Sequence, residues 1–449
     1  MSLLSWITGR SSSTDRPREP VRLDRNGHRI NARSIDNGAS TVVRQLQDAG
    51  FAAYLVGGCV RDLLLGLEPK DFDVATNATP EDVRRVFRRA RLIGRRFRIA
   101  HVRVGREVIE VSTFRQRAVD EEVTDLRSRR DLGDRTSARS AEGLILRDNA
   151  YGTIDQDAFR RDFSVNALYY DPVTECVIDY VGGLDDIRAR KLRLLGDPVT
   201  RFREDPVRIL RAVRFAAKLG FEIDRATRAA IPVTAPLLVG AAPARLFDEL
   251  CKLLLLGHAT ASWTLLRELG LADRLFPDLR HTSASERLIE KAMLGTDQRV
   301  REDKPVTPGF LFAVLLWDSF NELLARYSED RPLPDARDAA SADALVGQAA
   351  VTALPKRHAQ FVREVWTLQC RLERPTHKTV DRLMSHPRFR AAYDFLALRA
   401  AAGDSGADAA DWWTRYQAVD VKGRAEISAA LTPETPRKRR RRKRGLPAT

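Results

Sequence analysis

The chain has 449 residues, room for two to four compact units each with its own core. Hydrophobic residues make up 43% and charged residues 31%, a globular balance, and no stretch approaches the roughly 18 apolar residues of a membrane span. The net charge of +15 points to a polyanionic partner, although eight of those charges stand in one run, Arg437-Lys438-Arg439-Arg440-Arg441-Arg442-Lys443-Arg444, and the remainder is +7. Cys59, Cys176, Cys251 and Cys370 lie far apart, with no Cys-x-x-Cys and no clustered His. That excludes an obvious zinc module and a disulfide framework, and it fits a reducing cytoplasm.

In chain order, residues 1–35 are rich in Ser, Arg, Asp and Pro and read as a flexible leader that orders near Gly27-His28. The apolar run at Met1–Arg10 is too short for a signal peptide. Val42, Val43 and Leu46 predict a helix over 40–49, feeding a strand at Ala53–Val56. Gly57-Gly58 then makes a turn where the backbone must come close to something. Arg61 follows at the start of a short helix, where free amides and the dipole favour an anion. Asp71 and Asp73 stand at i, i+2 in the next strand, so both project from one face while Phe72 and Val74 point to the core. Two carboxylates on one face beside a glycine turn suggest a divalent-metal site for phosphoryl or nucleotidyl transfer.

Thr79-Pro80-Glu81-Asp82 opens a helix with an N-cap and proline in its first turn. Two strands, 92–104 and 108–114, joined at Gly105-Arg106, make a hairpin. On the second strand Glu110 shares a face with Val108 and Ser112. A glutamate amid a buried strand is costly unless compensated, so Glu110 reads as a third carboxylate facing Asp71 and Asp73; the alternative is a partner such as Arg106. Residues 117–147 lack apolar periodicity and read as a long loop. A second hairpin-like segment covers 177–186, and from Arg203 the pattern is helical almost throughout, with a glycine C-cap at Gly220 and Trp412-Trp413 in the last packed element. Asp205 and Arg208 stand at i, i+3 on one helix and would face the same way. An Asp acceptor beside an Arg donor matches the pairing edge of adenine or of cytosine and rejects guanine and uracil. Arg211, Arg214 and Lys218 extend a basic stripe on that helix, suited to RNA phosphates or to plain solvation. Beyond about residue 430 the tail is Pro and Arg with no core to bury.

The order Gly57-Gly58-x-x-Arg61-Asp62, then Asp71-x-Asp73, resembles the signature of the polymerase-beta-like nucleotidyltransferases, the class that holds bacterial poly(A) polymerases and CCA-adding enzymes. The resemblance is close over residues 35–275 and loose beyond. It implies an α+β fold, a head with a mixed sheet and helices followed by an all-helical neck and body. The layout expected from it is a leader (1–35), a catalytic head (36–190), a neck (191–275), an RNA-binding body (276–425) and a basic tail (426–449).

Within Arg160-Arg161-Asp162-Phe163-x-x-Asn166 the resemblance makes Asp162 a catalytic carboxylate and Arg161 and Asn166 nucleotide contacts. Ile93-Gly94-Arg95-Arg96-Phe97-Arg98-Ile99-Ala100-His101-Val102 and the arginine-rich C-terminus look like the bacterial poly(A) polymerase branch, and no His-Asp dipeptide marks an appended phosphohydrolase domain. The implied reaction is template-independent addition of AMP from ATP to RNA 3′-hydroxyl ends, with release of pyrophosphate. CCA addition to tRNA is the alternative. Asp71, Asp73 and Glu110 would hold two Mg²⁺ ions, with Mn²⁺ as a substitute. Gly57, Gly58, Arg61 and Arg161 would hold the phosphates of ATP, and Asp205 with Arg208 the adenine. RNA, from mRNA or small RNAs to tRNA, would lie along Arg95, Arg96, Arg211, Arg214, Lys218 and the tail cations. A cytoplasmic protein with no membrane partner is expected.

Overall fold

The computed structural model describes residues 19–94, 98–116, 137–139, 145–148, 150–404 and 406–431. The chain divides into two compact units, Met1–Ala241 and Ala242–Thr449.

The first unit is built on an eight-stranded sheet. It begins with β1 (Val21–Leu23), α1 (Asn37–Asp48), β2 (Ala53–Val56), α2 (Gly58–Leu64), β3 (Asp73–Thr76) and α3 (Pro80–Val86). There follow β4 (Arg91–Ile93), β5 (Ile99–Val104), β6 (Glu107–Thr113), β7 (Ser137–Arg139), β8 (Ile145–Asp148) and α4 (Ile154–Arg160). The unit closes with β9 (Leu168–Asp171), β10 (Cys176–Asp179), α5 (Gly183–Arg188), β11 (Lys191–Leu192), α6 (Pro198–Glu204), α7 (Val207–Leu219), β12 (Glu222–Ile223) and α8 (Arg225–Thr234). The sheet order is β1-β10-β9-β2-β3-β6-β5-β4, and β3–β6 is its parallel pair.

Local chemistry sets these elements. Asp36 caps α1 by accepting from the Ala39 amide, and the buried stripe Val42, Val43, Leu46 seats the helix on the sheet. Thr79 and Asp82 form a reciprocal capping box on α3. Strand alternation divides the core. Leu55, Val74, Ile109 and Val111 lie on the α1 side, and Val56, Ala75, Phe114 and Tyr169 on the side that carries α4.

Three expectations change. The leader is part of the fold from β1 onward: β1 pairs with β10, and the His28 ring meets Tyr170 edge-on with Nε2 2.9 Å from the Glu175 carbonyl. Within the expected loop 117–147, β7 and β8 pair antiparallel. Residues 191–241 group with the head rather than forming a separate neck, since β11 and β12 pair in parallel and α6 to α8 belong to the same unit. The neck helix is also broken. Pro206 has no amide hydrogen to continue α6, so the chain restarts as α7, which ends at Gly220 in the left-handed region (φ 63°).

The second unit contains twelve helices among its described residues, from α9 (Pro243–Leu254) to α20 (Val421–Ala429). Trp366 stacks on Phe320 at 4.4 Å and donates its indole N–H to the Ala313 carbonyl; Trp413 donates to Leu372 in a second cluster. Both indoles are fully buried with their polar atom satisfied.

Gly183 opens α5 against the turn Ser164–Asn166, and a Cβ there would stand 2.3 Å from the Ser164 carbonyl oxygen. Gly183→Ala is therefore expected to cost about 2 kcal/mol, read as a lower denaturant midpoint. Gly240→Ala, where the added carbon meets nothing within 4 Å, should be close to neutral.

Candidate active site

The site begins where β2 ends. Gly57 has φ 83° and ψ −128°, a conformation open to glycine and strained for other residues. A Cβ there would lie 3.5 Å from Nη1 of Arg161, an ordinary contact, so backbone conformation rather than space calls for glycine. Arg161 is buried on its other side by Asp157, whose Oδ2 accepts from Nε (3.1 Å) and Nη2 (2.9 Å), and its guanidinium lies 5.5 Å from the Tyr169 ring. Tyr169 completes the clamp by donating its hydroxyl to Asp157 at 2.8 Å.

Beside this turn β3 presents the carboxylates. Asp71 precedes the strand and Asp73 opens it; both are exposed, while Phe72 and Val74 pack into the core. Asp73 faces Glu110 directly in the β3–β6 ladder. Crowding by protein atoms, then the charges of Glu110 and Asp71, push the Asp73 carboxyl up to about 6 against the opposing pull of Arg161. Glu110 differs from its expected setting. Its side chain is 53% exposed and 3.3 Å from Nε2 of His101, so it is neither a buried acid nor a partner of Arg106.

Among the described residues no three His, Cys, Asp or Glu side chains gather closely enough to cage an ion. A pair of carboxylates completed by substrate phosphate oxygens is, however, the usual setting for Mg²⁺. The like-charge pressure on Asp73 is what a divalent cation would relieve. Asp71 and Asp73 fit that role, and Glu110 stands within electrostatic reach as a neighbour rather than as part of a cage.

The other expected contacts form a polar chain. Arg61 is 2% exposed; its Nε and Nη2 bind Asp62 (2.8 and 2.6 Å) and its Nη1 binds Asn166 (2.5 Å). Asn166 donates to Asp162 (3.2 Å), Asp162 accepts from Arg211 (2.8 and 2.5 Å), and Lys218 reaches Asp62 (3.0 Å). Burial would raise the Asp162 carboxyl, but Arg211, the Phe163 amide and Asn166 hold it well below the usual carboxylate range. Phe215 lies under this chain, with the guanidiniums of Arg61 and Arg211 each 5.2 Å and that of Arg214 4.3 Å from its ring centre.

Several expectations are corrected by this geometry. Arg61 is an internal strut whose donors meet Asp62 and Asn166, not an open phosphate hand. Asp162 is a pinned anion. Arg211 and Lys218 are turned onto Asp162 and Asp62 rather than lined up for RNA. Asp205 and Arg208 do not stand on one continuous helix, since Asp205 ends α6 with φ −153° and Arg208 lies in α7, yet the Arg208 amide donates to the Asp205 carbonyl (3.0 Å) and keeps the two within one turn. Arg208 donates to Glu204 (3.2 Å) and to the Arg201 carbonyl (2.8 Å), and Glu204 also holds Arg201 (2.7 Å). Arg95, Arg96 and the 437–444 run lie outside the described residues.

Sequence reasoning missed Asp157, Asp62, Glu204 and Phe215. Asp157 stands four residues before Arg161 on one helix face, a spacing that was available to read. Nothing local ties Asp62 to Lys218.

Family models match three stretches: the poly A polymerase head domain over 53–193, the probable RNA and SrmB-binding site of polymerase A over 220–282, and the polymerase A arginine-rich C-terminus over 329–445. A poly(A) polymerase I of Haemophilus influenzae is 44% identical over 408 residues, 89% of this chain and 88% of that protein. The chain belongs to the bacterial poly(A) polymerase family. A CC-adding tRNA nucleotidyltransferase of Halalkalibacterium halodurans is 36% identical over 231 residues, covering 51% of this chain and 52% of its own. A Bacillus stearothermophilus CCA-adding enzyme, solved in complex with CTP, matches with a TM-score of 0.54 and 25% identity over 89% of this chain and 88% of its own. The family thus shares its architecture with the CCA-adding enzymes while separating from them in sequence.

Three outcomes follow for the site. Divalent-metal binding, read by titration calorimetry, should be flat above pH about 6 and fall below it as Asp73 takes up a proton; Glu110→Gln should move that break to lower pH. The folded chain holds this proton more tightly than the unfolded chain, so the contribution of Asp73 to stability falls as pH rises from about 4 to about 6. Asp73→Asn should then raise the metal-free Tm at pH 7 while losing activity. Arg211→Ala removes the charged partner of Asp162 and leaves it only the Phe163 amide and Asn166. The expected loss is about 2 kcal/mol in equilibrium unfolding, less than for a fully buried pair because Arg211 is one-third open to water.

Proposed function

We propose that the first unit carries out AMP transfer at Asp71 and Asp73. The reaction is the family's polynucleotide adenylyl transfer. The RNA 3′-hydroxyl oxygen bonds to the α-phosphorus of ATP, the bond to the bridging oxygen breaks, and pyrophosphate leaves. The observation that carries the reading is the near full-length sequence match to a poly(A) polymerase at 44% identity, against half-length sequence matches to tRNA-directed relatives.

Asp71 and Asp73 would hold two Mg²⁺ ions, or Mn²⁺ in their place. Such ions acidify the attacking hydroxyl and neutralise the charge of the leaving group. Arg161, clamped by Asp157 and aimed at the open space over Gly57, holds ATP phosphate. Asp162 and Asn166 keep the nucleotide floor in place through the polar chain. Arg208, braced by Glu204, contributes the donor half of a base-edge reader. Because adenine and cytosine present the same donor–acceptor order to an Asp–Arg pair, preference for ATP needs a further restraint on base size. Unpaired cysteines at all four positions and the absence of any membrane-length apolar helix among the described residues support a cytoplasmic setting.

Incubation of the full chain with labelled ATP or CTP, on a generic RNA and on tRNA lacking its 3′ end, tests the reading. AMP runs on the generic RNA are expected, together with a loss of at least about a thousandfold in Asp73→Asn. CTP incorporation confined to tRNA would overturn it.

A further inference from the structure

The second unit holds a cleft of about 510 Å³, in the size range of ligand pockets, at a distance in sequence from every residue assigned above. One wall is α12 (Ser283–Arg301), which presents Lys291, Gly295 and Arg299 on a single stripe. Phe310, on α13 (Pro308–Leu315), and Phe361, on α16 (Lys356–Leu372), supply aromatic wall; Arg388 precedes the helix α18 (Phe389–Ala401) and Arg390 stands in its first turn. The wall residues of α12 and α13 lie outside the three stretches matched by family models.

Charge is distributed unevenly around this cleft. Lys291, Arg299, Lys304, Arg388 and Arg390 line it against two carboxylates, Glu302 and Asp394. Both acids are already engaged, Glu302 with Lys304 (2.6 Å) and Asp394 with Arg390 (2.9 Å) and Arg299 (3.8 Å). A further carboxylate outside the lining, Glu364, pairs with Arg388 (2.7 Å), so the rim retains an excess of positive charge.

Space is kept open as well. Gly295 sits in the interior of α12, where glycine weakens a helix relative to alanine, yet a Cβ there would meet nothing within 4 Å. Nothing in the fold of this unit needs a glycine at that point. By contrast Gly309 is required, since a Cβ on it would stand 2.8 Å from the Phe361 ring. One glycine thus fixes the aromatic wall, and the other leaves the cleft unfilled.

An apolar, aromatic-walled space rimmed by cations is complementary to a flat hydrophobic group that carries phosphates. We propose that this cleft holds a nucleobase of the single-stranded RNA substrate, with the neighbouring phosphates on Lys291, Arg299 and Arg390. The inference rests on RNA being the substrate. It adds a base-binding site in the second unit, where sequence-independent stacking and phosphate contact give grip on the strand being extended.

The test uses the full chain, Gly295→Leu, and a fluorescent 20-nucleotide oligo(A), with binding read by anisotropy in the absence of ATP. Filling the cleft should weaken oligo(A) binding about tenfold, raise KM for RNA, leave KM for ATP unchanged, and keep or raise Tm. Lys291→Ala, on an exposed helix position, should weaken binding at low salt and reduce the log–log salt slope by about 0.7. Unchanged oligo(A) affinity in both folded variants overturns the proposal. So does an AMP site, seen by calorimetry, that Gly295→Leu abolishes while oligo(A) affinity stays intact, for the occupant is then a free nucleotide. Failure of the parent reading shows separately, as a wild-type chain that binds oligo(A) but adds no AMP to it.

Discussion

The first unit depends on one chain of charge-assisted hydrogen bonds, Lys218–Asp62–Arg61–Asn166–Asp162–Arg211, buried at its middle and about one-third open to water at its two ends, with the ring of Phe215 beneath. Each member is costly to bury alone and is stabilised by its neighbours, so the chain holds only when every link is present. It joins α2, the turn at Ser164–Asn166 and α7, three elements that are remote in sequence. Their registration sets the floor beside the Gly57 turn. An anion held well below its ordinary range at Asp162 and a cation sealed at Arg61 are the signature of this structural duty.

Against that rigid floor the carboxylate edge is a site of deliberate electrostatic conflict. Asp71, Asp73 and Glu110 crowd negative charge at one end of β3 and β6, and burial of Asp73, then the charges of Glu110 and Asp71, raise its proton affinity. A fold selected for stability alone would neutralise these acids. Retaining them open is the arrangement expected of a site that draws its missing positive charge from the substrate complex. Arg161 supplies the opposite charge on the other side of the glycine turn, held there by Asp157 and Tyr169.

The two units divide labour along physical lines. The first is a sheet with its polar groups pinned in place, suited to exact positioning. The second is a helical array stabilised by buried aromatics such as Trp366 and Trp413, with cations around an open cleft. Contact with an RNA strand of variable sequence asks for the second kind of surface, since bases offer stacking faces and phosphates that do not depend on sequence.

By itself the sequence determined the elements and the reaction class. Glycine spacing, the Asp71-x-Asp73 alternation, the capping box at Thr79 and the turn at Gly105 are local signals, set by backbone sterics and side-chain periodicity within a few residues. They located β2, α2, β3, α3 and the β5–β6 hairpin, and the motif order pointed to the family. Tertiary structure alone decided what the charged residues do. Arg61, Arg211 and Lys218 read as ligands for phosphate or RNA, and Asp162 as a catalytic carboxylate, because a charge in sequence has no partner. In the fold each meets an opposite charge, or an amide that bridges to one, from a segment far along the chain, and burial converts it to a strut. Pro206 similarly breaks the helix on which Asp205 and Arg208 were expected to stand together. Charges acquire their roles through long-range pairing and desolvation, and neither is encoded in local pattern.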